Sequence, residues 1–289
     1  MPWPMVAFVS FPPGPAPWTV LLPLKNLARA KSRLHHPDRG RLALAMAVDT
    51  VTAVLTTSEE LVAGVSVITS DPAVESALAS APELPATARH RLVVLPDTPG
   101  AGLNPALAHG AAVAGERWPG RPLAALSADL PALRPAELRR ALLAASSHAR
   151  AVLADAAGTG TVLLTAAAGT ALAPAFGPRS NEAHRRSGAV DITAALGSDV
   201  PGLRRDVDTL EDLDEARSLG VGSATAAALT GGLQIAAAEG PAVRGHRPAT
   251  PSRRPADPSP GAAPSASVPS VHRWTSVDGS GPGRAKWYP

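Results

Sequence analysis

The chain has 289 residues, of which 45% are apolar, 18% are charged and 3% are aromatic. That length suits one large domain or two small ones, with a core built mainly from Ala, Val and Leu. Cysteine is absent, which excludes disulfide scaffolds, cysteine-ligated zinc, iron–sulfur clusters and thiol nucleophiles. No uninterrupted apolar run reaches about 18 residues, so we expect no membrane span.

The formal net charge of +3 is carried by the C-terminal part of the chain. Residues 222–289 contain seven Lys and Arg against three Asp and Glu, which leaves 20 against 21 in the first 221 residues. A nucleic-acid-binding domain is expected to carry its positive charge on a folded face. The charge distribution therefore predicts no nucleic-acid partner.

Composition divides the chain into three parts. Residues 1–17 contain six prolines and no Lys or Arg, which is unlike a signal peptide and predicts a disordered leader. Residues 241–289 contain ten prolines and only four Val, Ile or Leu residues, too few to offset the chain entropy of folding. We therefore expect a folded domain over residues 18–221 and a disordered Pro/Ala/Ser-rich tail over residues 222–289.

Within the predicted domain, short aliphatic runs alternate with longer segments of helical periodicity. The aliphatic runs predict strands at Thr19–Leu24, Val65–Thr69, Leu92–Leu95, Leu123–Ser127, Ala151–Asp155 and Val162–Thr165, and a strand end at Leu203–Val207. The periodic segments predict helices at Asp38–Thr57, Ala73–Ser80, Asn104–Arg117, Pro135–Ala145, Glu182–Ser187 and Leu210–Leu219. Aliphatic strands separated by helices indicate an α/β fold with a mostly parallel sheet covered on both faces. Such sheets bind ligands in the crevice at the carboxyl ends of their strands.

A basic cluster follows the first predicted strand, at Lys25, Arg29, Lys31 and Arg33. Lys and Arg form charge-assisted hydrogen bonds with phosphate oxygens, so four of them after one strand favour a polyphosphate ligand. A solvated basic helix face explains the spacing equally well. The Gly-Lys-Ser/Thr sequence of a P-loop is absent, which excludes a Walker-type ATPase.

A glycine-containing loop, Pro99–Asn104, follows the predicted strand Leu92–Leu95. Gly102 permits close approach of the backbone, and the N-terminus of the next helix attracts anions. This arrangement favours a nucleotide at Gly102 and Asn104. The alternative is that Asn104 caps the helix, and the two roles are compatible.

Carboxylates follow two further predicted strands. Asp129 lies directly after Leu123–Ser127, while Asp206 and Asp208 occupy alternate positions that point to the same side of an extended chain. Two like charges on one side repel each other unless a cation or protons compensate them, so this spacing favours a metal site. The alternatives are a turn role for Asp129 and capping of the next helix by Asp208 or Thr209.

Two loops carry donors suited to a carboxylate or a phosphate. The turn Asp155–Thr161 contains the hydroxyls of a Gly-Thr-Gly-Thr sequence, and Phe176–Ser180 offers amide N–H groups and a hydroxyl before a short helix. Taken alone, either loop is equally typical of an ordinary turn. His184 follows the second loop, where it suits a ligand or, more commonly, a structural role.

The order of these motifs resembles one family. From about Trp18 to Leu219 the chain contains PLKNLARAKSRL, GLN after LPD, SADLP, GTGT, FGPRS with His184 after it, and DVDTLEDLDEA. This series is similar to the guanylyltransferases that make the phospho-acid nucleotide of the deazaflavin coenzyme F(420). The resemblance implies a single-domain, Rossmann-like nucleotidyltransferase fold of the nucleotide-diphospho-sugar transferase type, with GTP as donor and Mg²⁺ as cofactor.

The resemblance also implies the second substrate, which is phosphoenolpyruvate or 2-phospho-L-lactate. In bacterial members of the family phosphoenolpyruvate is the usual substrate, and the Ala, Arg and Pro bias of this chain suggests a GC-rich bacterial genome. We therefore expect phosphoenolpyruvate as substrate, with enolpyruvoyl-diphospho-guanosine and pyrophosphate as products. The expected setting is cytoplasmic, and a downstream transferase is a candidate protein partner.

Site residues carry over from the family motif by motif. The resemblance assigns the metal carboxylates to Asp129, Asp206 and Asp208. It assigns the binding of the acid's carboxylate to Thr161, Gly177 and Ser180. It implies that three basic residues lie near the GTP phosphates, namely Lys25, Lys31 and Arg33. Gly102 and Asn104 complete the nucleotide side, and Arg179 stands where the motif leads us to expect a small residue, often Gly.

Two other functions stay open. Another nucleotidyltransferase of this fold acts on a molybdopterin or a sugar phosphate, but the Gly-rich, Arg-containing first loop of those enzymes is missing here. The other is a non-catalytic GTP-binding protein that recruits partners through its tail. Such a protein needs no metal carboxylates, so the three aspartates argue against it.

Overall fold

The structure is a computed structural model that describes residues 16–24, 31–34, 36 and 38–231. All of these residues belong to one unit, Met1–Gly240. Within that described part of the chain, no helix is long and apolar enough to cross a lipid bilayer.

A seven-stranded sheet forms the centre of the domain, in the order β3-β2-β1-β4-β6-β5-β7. Its strands are β1 Trp18–Pro23, β2 Val62–Ile68, β3 Leu92–Leu95, β4 Leu123–Leu126, β5 Arg150–Ala154, β6 Thr161–Ala166 and β7 Val190–Asp191. The neighbours β1 to β4 are parallel, β7 is parallel to β5, and β6 alone runs antiparallel to the strands on both sides of it. The predicted α/β fold with a mostly parallel sheet is confirmed. β6 is reversed because a turn of only six residues joins it to β5.

Nine α-helices lie among the described residues. They are α1 Arg39–Thr56, α2 Pro72–Ser80, α3 Leu103–Arg117, α4 Pro135–Ala145, α5 Ser180–Arg186, α6 Thr193–Leu196, α7 Pro201–Arg204, α8 Leu210–Leu219 and α9 Ser223–Gly231. Short 3-10 helices span Ser32–Leu34 and Ala86–Arg91. The predicted helices are therefore present within a few residues of their expected bounds, and α6, α7 and α9 are additional.

The sheet is covered on both faces, as continuous aliphatic strands predict. Along β1, the side chains of Val20 and Leu22 join a core that also contains buried residues of α1 and α4. The intervening Leu21 joins a separate core with Leu107 of α3. These residues are fully buried, so the alternation of a strand places helices on opposite sides of the sheet.

The predicted strand end at Leu203–Val207 is wrong. Pro201 opens helix α7 there, and residues after Arg204 are irregular. The cause is tertiary: the buried Glu137 accepts a hydrogen bond from the Leu203 N–H over 2.6 Å. A carboxylate at a helix N-terminus satisfies otherwise unpaired donors, which stabilises a short helix over a strand.

The sequence predicted a domain that ends at residue 221, but the packed structure continues through α9 to Gly231. Asp49 on α1 accepts hydrogen bonds from the N–H groups of Ala224 and Thr225 over 3.0 and 2.8 Å, which attaches α9 to α1. A side chain at Gly222 would collide with Asp49, so the close approach needs glycine. The predicted leader up to residue 15 and the predicted tail beyond residue 231 lie outside the described residues.

Helix α9 should contribute measurably to stability. A chain that ends at Val221 leaves the buried Asp49 carboxylate without its donors, at a cost on the order of 2–4 kcal/mol, and its Tm should fall by about 5–15 °C. A chain that ends at Gly231 keeps these bonds and serves as the matched control. Equal Tm values for the two truncated chains, measured by thermal unfolding, would show that α9 is dispensable.

Candidate active site

The carboxylates predicted to bind metal lie close together beyond the carboxyl end of β4. The loop after that strand carries Asp129, whose carbonyl oxygen accepts a hydrogen bond from the Val207 N–H over 3.2 Å. Val207 is fully buried, whereas Asp206 and Asp208 on either side of it are half-buried. Alternate burial therefore places both flanking carboxylates on the open side, as their spacing predicted, although the segment is not a strand.

Neighbouring helices hold these acidic segments in place. Thr50 on α1 is buried, and its Oγ1 accepts a hydrogen bond from the Leu130 N–H over 3.0 Å. Thr209 caps α8: its Oγ1 accepts from the Asp212 N–H over 3.2 Å, and Asp212 Oδ2 accepts from the Thr209 N–H over 2.9 Å. Thr209 is thus the cap, and the side chain of Asp208 is left for other contacts.

Lys31 and Arg33 supply positive charge beside the carboxylates. The Lys31 ammonium donates hydrogen bonds to Asp129 and, over 3.0 Å, to Asp208 Oδ1, and Arg33 Nη2 donates to Asp208 Oδ2 over 2.5 Å. The Lys31 side chain is 9% exposed and that of Arg33 is 73% exposed, so Lys31 is the inner cation. Burial opposes its charge, but Asp129 and Asp208 outweigh burial and raise the pKa of Lys31 to about 12. Lys25, which the sequence placed with these two, lies outside the described residues.

Asp206 is the least compensated carboxylate of this group. Burial, followed by repulsion from the other three carboxylates, raises the pKa of Asp206 to about 7, and Lys31 offsets only part of that rise. These three are Asp129, Asp155 and Asp208. No residue in the described part of the chain donates a hydrogen bond to Asp206. The space beside it therefore favours a proton or a further cation.

Asp155 belongs to this acidic cluster, although no sequence motif marked it as a site residue. Its Oδ1 accepts a hydrogen bond from the Thr159 N–H over 3.0 Å and its Oδ2 from the Gly160 N–H over 2.8 Å, which closes the turn between β5 and β6. A side chain at Gly160 would collide with the Asp155 carboxylate, so the turn needs glycine there. The available signal was an Asp directly after an aliphatic strand, as at Asp129.

The donor set suits a hard divalent cation but is not assembled for one. Among residues 38–231 and the short segments described before them, no group of three or more His, Cys, Asp or Glu side chains has metal-binding geometry. The Lys31 ammonium instead bridges Asp129 and Asp208. Carboxylate oxygens are preferred ligands of Mg²⁺, and Asp206 keeps uncompensated charge beside them. The assignment of Mg²⁺ to Asp129, Asp206 and Asp208 fits these residues and stays a prediction.

The structure brings the three predicted acid-binding residues into one neighbourhood. Thr161 begins β6 and Ser180 begins α5, and both are buried. The Ser180 N–H donates to the Gly177 carbonyl over 3.2 Å, and the Asn181 N–H donates to the Thr159 carbonyl over 3.2 Å. The loop before α5 therefore docks on the β5–β6 turn. The buried Asn181 Nδ2 has no partner among the described residues, which leaves an unused donor in the first turn of α5.

Asn104 connects α3 to the acid-binding loop. Its Nδ2 donates to the Phe176 carbonyl over 3.0 Å, and its Oδ1 accepts from the Phe176 N–H over 2.8 Å. Gly102, with φ 106°, occupies the N-cap position, so the prediction that Asn104 caps this helix is wrong. The nucleotide-binding role of Gly102 and Asn104 stays a prediction, with the Asn104 amide bonded on both sides to Phe176.

Arg179 occupies a position where glycine is favoured for conformational reasons. Its φ of 57° lies in the left-handed region, which accounts for the small residue expected in the motif. The guanidinium pairs with Glu182 over 2.6 Å, and the Arg179 side chain is 77% exposed. The side chain is therefore engaged at the surface rather than buried with Thr161 and Ser180.

The pKa of Asp206 predicts a pH-dependent effect on stability. A folded-state pKa of about 7, above the ordinary value of 3.8, means that ionisation of Asp206 destabilises the fold as the pH rises between those values. Asp206→Asn should raise the Tm above that of the parent at pH 8, and the gain should shrink toward pH 5, in buffer without divalent cations. Asp199→Asn, at an exposed position outside the cluster, is the control. If the Tm difference between Asp206→Asn and the parent does not vary with pH, the Asp206 carboxylate is not destabilised by neighbouring negative charge.

Comparison with known proteins gives close relatives along the chain. No protein-family model matches it. A phosphoenolpyruvate guanylyltransferase from Frankia casuarinae is 57% identical over 297 residues, which cover 99% of this chain and 100% of that protein. A phosphoenolpyruvate guanylyltransferase from Streptomyces scabiei is 53% identical over 216 residues, which cover 73% of this chain and 95% of that protein. The Frankia relative thus matches beyond the Trp18–Leu219 span that carries the motifs.

Solved structures are more distant. A nucleotidyl transferase from Methanothermobacter is 21% identical, with a TM-score of 0.48, over 70% of this chain and 96% of that one. A 4-diphosphocytidyl-2C-methyl-D-erythritol synthase is 12% identical, with a TM-score of 0.44, over 71% of this chain and 98% of that one. At TM-scores below 0.5 these likenesses say nothing about the site.

Proposed function

This chain belongs to the phosphoenolpyruvate guanylyltransferase family, and we propose that its acidic cluster is where GMP is transferred from GTP to phosphoenolpyruvate. The chain is a nucleotidyltransferase, as its relatives are. The observation that carries the proposed location is the convergence of Asp129, Asp206 and Asp208 with Lys31 beside the β5–β6 turn. The products are enolpyruvoyl-diphospho-guanosine and pyrophosphate, and the former supplies coenzyme F(420) biosynthesis.

The reaction needs no general base. A phosphate oxygen of phosphoenolpyruvate attacks the α-phosphorus of GTP in line, the bond from that phosphorus to the bridging oxygen breaks, and pyrophosphate leaves. The attacking phosphate is already an anion at neutral pH. This agrees with the state of His184, whose pKa is lowered by burial to about 4, so its ring does not serve as a proton carrier for the site.

The main difficulty is to bring two polyanions together. Lys31 is held charged beside the carboxylates, and the exposed Arg33 lies next to it, so both can contact phosphate oxygens. Asp129, Asp206 and Asp208 would hold Mg²⁺, which neutralises phosphate charge when bound. Asp206 would then be compensated, and the Lys31 ammonium, released from its two carboxylates, would be available to the triphosphate.

The acid's carboxylate is the other handle for orientation. We assign it to the hydroxyls of Thr161 and Ser180 and to the backbone N–H of Gly177, which present donors without a competing negative charge. The docking of Asn181 on Thr159 keeps this loop beside the turn that Asp155 closes. The acid and the acidic cluster are thus held by the two ends of one turn.

Pyrophosphate release with GTP, Mg²⁺ and each candidate acid tests the proposed reaction. We expect the parent chain to use phosphoenolpyruvate with a higher kcat/KM than 2-phospho-L-lactate. Asp208→Asn should lower kcat/KM on the order of a thousandfold with little change in Tm, because transition-state charge loses several kcal/mol of stabilisation. Asp199→Asn is again the control. Near-normal turnover by Asp208→Asn would show that the reaction takes place elsewhere. A higher kcat/KM with 2-phospho-L-lactate would show that phosphoenolpyruvate is not the preferred substrate.

Substitutions in the acid-binding loops should affect one substrate selectively. Thr161→Val or Ser180→Ala removes one hydrogen bond to a charged group, a loss of about 1.5–3 kcal/mol, so KM for the acid should rise roughly tenfold to a hundredfold. KM for GTP should change by less than about twofold, since GTP uses other residues. Thr159→Val, at an exposed threonine of the same turn, is the matched control in steady-state kinetics. An increase confined to KM for GTP would show that these loops bind GTP and not the acid.

A further inference from the structure

We infer that His184 is a positioning residue, which turns the hydroxyl hydrogen of Thr161 toward the acid's carboxylate. The inference rests on the proposed role of Thr161 in binding that carboxylate. It concerns a side chain that the proposed reaction does not use and that lies behind the site rather than in it.

The hydrogen bonds of His184 define which ring nitrogen carries the hydrogen. The ring is completely buried, and its Nε2 accepts a hydrogen bond from the Ala175 N–H over 2.8 Å. An accepting nitrogen has no hydrogen, so the neutral ring carries its hydrogen on Nδ1. Burial, with the nearby Arg150 charge, lowers the pKa of His184 to about 4, which keeps the ring neutral at physiological pH.

The hydrogen on Nδ1 determines how Thr161 presents its hydroxyl. Thr161 Oγ1 lies 3.0 Å from His184 Nδ1, so it accepts a hydrogen bond from the ring. The hydroxyl's own hydrogen must then point elsewhere, and no other described residue bonds to this oxygen. A carboxylate can only accept hydrogen bonds, so a hydroxyl fixed as a donor suits it better than one that rotates freely.

The same ring also sets the position of the second loop. Ala175, which donates to His184, lies two residues before Gly177, and Phe176 packs against the ring edge-on with centroids 5.0 Å apart. Asn104 holds the Phe176 backbone from α3. His184 therefore connects β6, α5 and the acid-binding loop, and its two hydrogen bonds orient donors in both loops.

Two substitutions separate the bonds of His184. His184→Asn keeps an amide N–H near the position of Nδ1, which can donate to Thr161, whereas His184→Gln keeps an acceptor near Nε2 for Ala175 and loses the Nδ1 donor. We expect His184→Gln to raise KM for phosphoenolpyruvate about tenfold, with kcat and KM for GTP within about twofold of the parent. His184→Asn should restore most of the affinity. Equal KM values for the acid in both variants, or a change in KM for GTP, would overturn the positioning role.

A double-mutant cycle tests whether the effect passes through Thr161. In a Thr161→Val background, His184→Gln should cause no further rise in KM for phosphoenolpyruvate. If the two substitutions raise KM for phosphoenolpyruvate by independent factors that multiply in the double variant, His184 does not act through Thr161. If Thr161→Val itself leaves that KM unchanged, the assignment of Thr161 to the acid fails, and the inference fails with it.

A measurement on the parent chain does not depend on the folding of any variant. Two-dimensional ¹⁵N–¹H NMR of the histidine rings distinguishes the two neutral forms. The inference predicts that His184 carries its hydrogen on Nδ1 at pH 7–8 and that Nε2 has the shift of an unprotonated nitrogen. The opposite form would make Thr161 the donor to His184 and would overturn the inference, while activity with phosphoenolpyruvate would leave the proposed function standing.

Discussion

Repulsion of the Asp206 carboxylate by three neighbouring carboxylates is the constraint on which the site depends. The three belong to Asp129, Asp155 and Asp208. Two unit charges about 4 Å apart interact by about 4 kcal/mol at an effective dielectric of 20, so such a group needs compensation. The buried carboxylates of Asp49 and Glu137 elsewhere in the fold are satisfied by N–H groups at helix N-termini. Asp206 has no such donors among the described residues, and Lys31 offsets its charge only in part. That difference supports the proposal that the cluster binds a cation and a polyphosphate.

The reversed strand β6 joins the two halves of the site. The Asp155 carboxylate repels that of Asp206. It also closes the turn by accepting hydrogen bonds from the N–H groups of Thr159 and Gly160. Thr161 follows directly, as the first residue of β6. Because a tight turn fixes the separation of its ends, the proposed acid site at Thr161 and the proposed phosphate site near the carboxylates would be kept at a constant spacing. Effective in-line transfer depends on such fixed placement of both substrates.

The sequence predicted the parts of the fold that depend on local pattern. Aliphatic strands, amphipathic helices and the cap at Thr209 follow from residue type and spacing. So does the placement of Asp206 and Asp208 on the same side of their segment. Other features depend on contacts between distant segments. Helix α7 exists because Glu137 accepts its N–H group, and α9 is attached through Asp49. Neither contact leaves a signal in the local sequence. The motifs alone also left Asp155 and His184 unassigned, since turn and histidine roles depend on what packs against them.

The crowding of charge in the acidic cluster can be measured as the pKa of Asp206 in solution. Carboxyl ¹³C NMR of the chain, with Asp206→Asn to assign the signal, measures it in buffer without divalent cations. We expect a pKa near 7, a lower pKa when Mg²⁺ and GTP are added, and a higher pKa in Lys31→Met, which removes the neighbouring cation. A pKa near the ordinary 3.8, unaffected by Mg²⁺ or by Lys31→Met, would show that the carboxylates are not crowded.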